Sequence, residues 1–258
     1  MTNTALVTGA SSGIGREFAR YHAERGGDLI ITARRDEALS ALKAELEQAH
    51  GVTVRVFAQD LASSEHATAL YERIKEAGLT VDILINNAGF GGQGRHIERP
   101  LDDEIAMIDL NVQALVTLTH HVAQDMVKRG AGRILNVAST AAFMPGPNQA
   151  VYFATKAFVK SYSEALAQEL RKSGVSVTVL APGYVETEFA DRSGLTGTKL
   201  VSGGGKSARS VARHGYDAML REKLVTINEP LLGFLLNWII PLLPRRTVLG
   251  IIERMQAK

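Results

Sequence analysis

Seven short runs of apolar or β-branched residues, set apart by stretches with helical periodicity, narrow the possible folds more than any other feature of this chain. The runs are Ala5–Thr8, Leu29–Thr32, Val52–Phe57, Val81–Ile85, Arg133–Val137, Val175–Leu180 and Leu224–Ile227. The helical stretches are Ile14–Glu24, Glu37–Ala49, Glu65–Glu76, Leu101–Lys128 and Gln149–Lys172. In the last, Ala157, Phe158, Tyr162, Ala165, Leu166 and Leu170 are the expected core positions. Strands that are apolar on both faces and alternate with helices form a parallel sheet covered on each side. Right-handed crossovers then give an α/β fold, a Rossmann-type doubly wound sheet of about seven strands. No repeat, low-complexity tract or linker interrupts residues 1–258, so one domain is expected.

The composition excludes several function classes. The chain has no cysteine, so disulfides, thiol catalysis and Cys-ligated metal are out. Its seven histidines lack metal-binding spacing; the adjacent His120 and His121 fall on different helix faces. A net charge of +2 gives no basic excess to argue for nucleic acid. The first apolar run begins a few residues in, with no basic region and apolar stretch before it, which predicts a cytoplasmic protein.

Thr8-Gly-Ala-Ser-Ser-Gly-Ile-Gly15 follows the first run and opens the first helix. Gly9, Gly13 and Gly15 remove side chains where the backbone must turn sharply and approach a pyrophosphate. The free amides at the helix start, around Ser11, Ser12 and Ile14, would face that anion. The spacing differs from G-x-G-x-x-G, and a glycine turn without a ligand is the alternative. Far downstream, Tyr152 and Lys156 are four apart in a helical stretch, so phenol and ammonium point the same way. A nearby cation favours phenolate and lowers the tyrosine pKa. Solvated surface residues are the bland reading of that pair.

Together the turn and the Tyr-Lys pair resemble the short-chain dehydrogenase/reductase family, and further motifs from Thr4 to Thr187 follow in the family's order. Asn86-Asn87-Ala88-Gly89 closes the fourth strand, where the family braces its sheet and borders the cofactor. Asp60-Leu61 closes the third, at the adenine-contacting position. Asn111, Ser139 and Pro182-Gly183-Tyr184-Val185-Glu186-Thr187 complete the set. The resemblance implies a carbonyl–alcohol oxidoreductase in which Tyr152 exchanges the proton, Lys156 tunes it and bonds the nicotinamide ribose, and Ser139 holds the substrate oxygen. Asn111 would interrupt its helix and carry a relay water. Cofactor contacts would come from Gly9, Ser11, Ser12, Gly13, Ile14, Gly15, Asp60, Leu61, Asn87, Ala88, Gly89, Tyr152, Lys156, Pro182, Gly183, Val185 and Thr187; no metal is implied. A non-catalytic dinucleotide-binding sensor or scaffold is the competing class.

At the end of the second strand Ala33 supplies no carboxylate for a ribose hydroxyl, and Arg34 follows. Arginine suits a 2′-phosphate through its paired donors, so the cofactor expected is NADP(H); a solvated cation is the alternative. Residues 188–258 form the family's variable, substrate-shaping part, with Ser193 to Ser210 expected as a mobile flap. Gly205-Lys-Ser207 looks like the end of a phosphate loop, but Leu200 stands where the loop's first glycine is required. Leu231 to Leu243 is strongly apolar, then meets Pro244, Arg245 and Arg246. As a helix it would span about 20 Å, too short for the roughly 30 Å hydrocarbon core, and Pro241 would kink it. Three readings stay open: a subunit contact or core cover, a wall for an apolar substrate, or a peripheral membrane contact through 231–246. The family's habit implies a homo-oligomer, a dimer or tetramer. A fatty or steroid-like ketone fits the apolar segment best.

Overall fold

A computed structural model describes residues 3–257. The first half runs β1 (Thr4–Thr8), α1 (Gly13–Glu24), β2 (Asp28–Ala33), α2 (Asp36–His50), β3 (Val54–Ala58), α3 (Ser64–Glu76) and β4 (Ile83–Asn86). Next come α4 (Leu101–Ile108), α5 (Leu115–Arg129), β5 (Gly132–Val137), α6 (Ala150–Leu170) and β6 (Val175–Leu180). The remainder is β7 (Val185–Glu186), α7 (Phe189–Arg192), α8 (Lys199–Ser202), β8 (Lys206–Ser207), α9 (Ala208–Leu220), β9 (Val225–Thr226), α10 (Pro230–Phe234) and α11 (Arg245–Gln256).

Seven strands pair in parallel in the order β3-β2-β1-β4-β5-β6-β9. The chain winds outward from β1 to β3, returns past β1 to β4, and continues the other way to β9. That reversal leaves a crevice at the carboxyl ends of β1 and β4, where open α/β sheets take their ligands. Side chains alternate between two cores. Ala5, Val7, Leu29, Ile31, Ile83 and Ile85 face the layer of α1, α2 and α9. Leu6, Ile30, Leu84 and Ile134 face that of α3 and α5. Because both faces are buried, every strand needs apolar residues at successive positions, which is the pattern visible in the sequence.

Within the expected Leu101–Lys128 stretch a π turn at Asp109–Ala114 separates α4 from α5, around the Asn111 expected to interrupt it. Two expectations need correction. The inner face of α6 carries Tyr152, Phe153, Thr155, Lys156, Val159 and Ser163, whereas Phe158 is 43% exposed and Ala165 faces solvent. Polar side chains occupy the most buried stripe, while Tyr162, Leu166 and Leu170 pack half-buried beside it, so an apolar periodicity count finds only part of the inner face. Ser193 to Ser210 is not a bare flap either; it holds α8 and β8, and Ser193, Leu195 and Thr198 are buried. The helix that follows, α9, was not anticipated. Ser207 caps it by accepting from the Ser210 amide, and its Tyr216 hydroxyl lies 2.6 Å from His22 Nδ1 on α1.

Candidate active site

The glycine turn is built as its composition demands. Gly9 and Gly13 have φ of +68° and +54°, in the left-handed region that side chains disfavour. A Cβ on Gly15 would collide with the Gly9 carbonyl oxygen. Ser12 is extended and makes no side-chain cap, so the first amides of α1 have no side-chain acceptor. They suit a phosphate. Thr187 reaches across from the far side: its Cγ2 would stand 3.2 Å from a Cβ on Gly13.

The Asn86–Gly89 segment fastens this turn to the rest of the sheet. Thr8 Oγ1 accepts from the amides of Asn87 and Ala88 at 3.0 and 2.9 Å, and Asn87 Nδ2 donates to the Thr8 carbonyl at 2.9 Å. Asn86 Nδ2 donates to Thr119 Oγ1 and Asn136 Oδ1, both at 2.9 Å, and Asn136 Nδ2 donates to Ser163 Oγ at 2.8 Å. Asn136 and Ser163 escaped the sequence reading. The signal was an asparagine inside an otherwise apolar strand, which a buried site tolerates only when its hydrogen bonds are met.

Asn111 sits in the π turn. Its Oδ1 accepts from the Phe90 amide at 3.0 Å, and its Nδ2 donates to the Phe90 carbonyl at 2.9 Å and to Thr155 Oγ1 at 3.2 Å. The extra residue of a π turn re-aims the side chain toward the loop after β4. Gly89 makes the approach feasible, since a Cβ there would lie 2.9 Å from Asn111 Oδ1 and 3.4 Å from Lys156 Nζ. Gly9 thus lets Asn87 and Ala88 close on the glycine turn, and Gly89 lets Asn111 and Lys156 close on the loop after β4.

Tyr152 and Lys156 are both buried, with Nζ 5.9 Å from the phenol ring centre and donating to the Val137 carbonyl at 2.9 Å. Burial pushes the phenol up to about 12, with Ser139 pulling the other way. Burial also brings the ammonium down to about 8. The expected lowering of the phenol by its cation is not found: desolvation disfavours charge on both groups, and only Ser139 pulls the phenol down. Ser139 Oγ accepts from the Ala141 amide at 3.1 Å, capping a short 3₁₀ turn beside the Pro182 carbonyl. The Thr140 amide donates to that same carbonyl at 2.9 Å. Gly183 leaves room for the Glu229 carboxylate, Val185 is buried on β7, and Thr187 Oγ1 accepts from the Phe189 amide.

At the end of β2, Arg34 is exposed and makes no hydrogen bond or ion pair among the described residues. Arg35 was not singled out from the sequence, yet it turns back onto Ser11 Oγ at 3.2 Å and pairs with Glu188 at 3.3 Å. Asp60 is exposed beyond the end of β3, while Leu61 is buried. Over Tyr152 lies an apolar cover in which Phe90, Phe189, Ile240 and Leu243 pack with Phe153, Val248 and Ile252. Gln256 pins it by accepting from Gln93 through its carbonyl and from Gln149 through its side chain.

Residues 3–196 match the family described as short chain dehydrogenase. The sulfoacetaldehyde reductase of Chromohalobacter salexigens is 38% identical over 228 residues, covering 87% of this chain and 85% of that one. Among solved structures, a short-chain dehydrogenase from Sphingobium yanoikuyae in complex with NADPH has 32% identity and a TM-score of 0.85, over 99% of this chain and 98% of its own. A bulky-bulky ketone specific alcohol dehydrogenase from Comamonas testosteroni has 30% identity and a TM-score of 0.77, over 87% and 85%.

Proposed function

The chain belongs to the short-chain dehydrogenase/reductase family, and from that premise we propose an NADPH-dependent oxidoreductase that interconverts a carbonyl and an alcohol on an apolar, lipid- or steroid-like substrate. The observation that carries the reading is the buried Tyr152–Lys156 pair, joined through Gly89 to the glycine turn. When bound, the nicotinamide supplies the hydride. The protein's own residues manage the proton and the oxygen. A phenol pushed up to about 12 is protonated at neutral pH, which suits Tyr152 to donate to the carbonyl oxygen during reduction. Lys156, brought down to about 8, exchanges protons near neutrality and can resupply the phenol. Ser139 steadies the developing oxyanion. Asn111 positions the Phe90 loop and Thr155 around them.

The cofactor assignment follows from fit. The uncapped start of α1 takes the pyrophosphate, and the unpaired Arg34 guanidinium takes a 2′-phosphate. Asp60, Leu61, Asn87, Ala88, Pro182, Val185 and Thr187 complete its contacts, and the solved Sphingobium relative carries NADPH. Comparable efficiency with NADH and NADPH, unchanged by Arg34→Ala, would overturn this preference. The apolar substrate class rests on the Phe90, Phe189, Ile240 and Leu243 cover and on the bulky-ketone specificity of the Comamonas relative. Residues 188–258 shape that specificity within one catalytic domain. The assembly proposed is a homo-oligomer, a dimer or tetramer; a monomer in sedimentation equilibrium would overturn it.

NADPH oxidation with ketones graded by chain length and ring number tests the whole. Turnover should rise with apolar bulk, and Tyr152→Phe should lower kcat by about a thousandfold with the fold intact. No turnover of any ketone would leave the sensor or scaffold class standing.

A further inference from the structure

We propose that residues 231–246 form a docking face for an anionic lipid surface. Leu231, Phe234, Leu235, Trp238 and Leu242 make up the exposed side of this segment, which runs from α10 through a π turn and a 3₁₀ turn. That side faces out: Leu231 is 73% exposed, Trp238 67% and Leu242 82%. The other side is apolar too, with Leu236 buried and Ile240 and Leu243 packed in the cover over Tyr152. Asn237 is the one polar side chain from Leu231 to Leu243, and it turns back to donate to the Gly233 carbonyl, so both sides of the segment call for apolar media. Only one of them is the protein.

Charge identifies the second. From Pro230 to Ile252 the only charged side chains are Arg245 and Arg246, both exposed at the end of the stripe. A cationic end beside an outward tryptophan suits headgroups carrying negative charge, with Trp238 at the interface. The segment lies on the bilayer and does not cross it: a π turn at Leu235–Ile239 and a 3₁₀ turn at Ile240–Leu242 break it. Among the described residues no helix is long and apolar enough to cross a membrane. The same segment covers the Tyr152 cluster, so a lipophilic carbonyl leaving the bilayer would meet the reactive residues after crossing one helix.

Trp238 is the only tryptophan, so its fluorescence reports the face directly. Titration with phosphatidylglycerol–phosphatidylcholine vesicles should shift emission to the blue and carry the protein upward in flotation. Pure phosphatidylcholine should bind at least tenfold more weakly. Reversing both arginines (R245E/R246E) should weaken anionic-vesicle binding by about tenfold or more. Exposed-site variants Leu231→Ser and Leu242→Ser should weaken it further without lowering Tm. The docking face is independent of the proposed chemistry, so Tyr152→Phe should bind vesicles as the parent does. Absence of both shift and flotation would overturn the proposal. So would a blue shift that follows protein concentration without vesicles, which would assign the stripe to a second copy of the chain.

Discussion

From β1 to Thr187 the carboxyl edge of the sheet is held by polar side chains whose partners lie far along the chain. Asn87 bonds Thr8, Asn86 bonds Thr119 and Asn136, Asn111 bonds Phe90 and Thr155, and Lys156 bonds Val137. From Glu188 onward the cover over that edge relies on apolar packing by Phe189, Ile240, Leu243, Val248 and Ile252, with Gln256 as its chief polar tie. Hydrogen bonds are directional, so the first region holds its groups in one geometry; apolar contact is not, so the second can differ in shape while still excluding water. Fixed chemistry under an adjustable cover is what this contrast teaches.

Breaking the polar edge should cost more than trimming the cover. Asn111→Ala leaves the amide and carbonyl of Phe90 without their partner, an expected loss of about 3 kcal/mol in urea unfolding. A loss below 1 kcal/mol would mean that water substitutes freely and that the edge is less rigid than described. Lys156 sharpens the contrast in another way, because there the proposed function opposes stability. Its pKa falls from 10.5 unfolded to about 8 folded, so the unfolded chain binds the extra proton between those values. The buried ammonium therefore destabilises fully below about pH 8, and the penalty fades as pH rises to 10.5. Lys156→Met should be inactive yet more stable at pH 7 by up to about 3 kcal/mol, less the cost of the orphaned Val137 carbonyl. That advantage should shrink at pH 10; an advantage independent of pH would refute the account. The smallest effect belongs to the cover. Gln256→Ala should cost about 1 kcal/mol and speed amide exchange in α11 while the sheet amides stay protected.

The legibility of the sequence divides along the same line. Strands buried on both faces must be apolar throughout, and glycines at a turn that admits no Cβ cannot be replaced. The sheet and the turn were readable for that reason, whereas Asn86–Gly89, Asn111 and Ser139 at its edge were placed only through the family resemblance. The inner face of α6 is legible only in part, at Tyr162, Leu166 and Leu170, because Thr155, Lys156 and Ser163 are buried with partners on other elements, and no periodicity rule sees a partner. Arg35, which folds back onto Ser11 of the glycine turn and pairs with Glu188, was missed for the same reason.

By itself, the order of residues determined the winding of the sheet, the glycine turn and the spacing that puts Tyr152 and Lys156 on one helix face, because these are local or strictly periodic consequences of covalent geometry. Only the tertiary structure decided that both groups are buried, and so shifted against charge, and that α9 backs α1. It also decided that the apolar segment near the C-terminus presents one side to the reactive cluster and the other to the outside. Burial belongs to what surrounds a residue, and in this fold the surroundings come from distant parts of the chain.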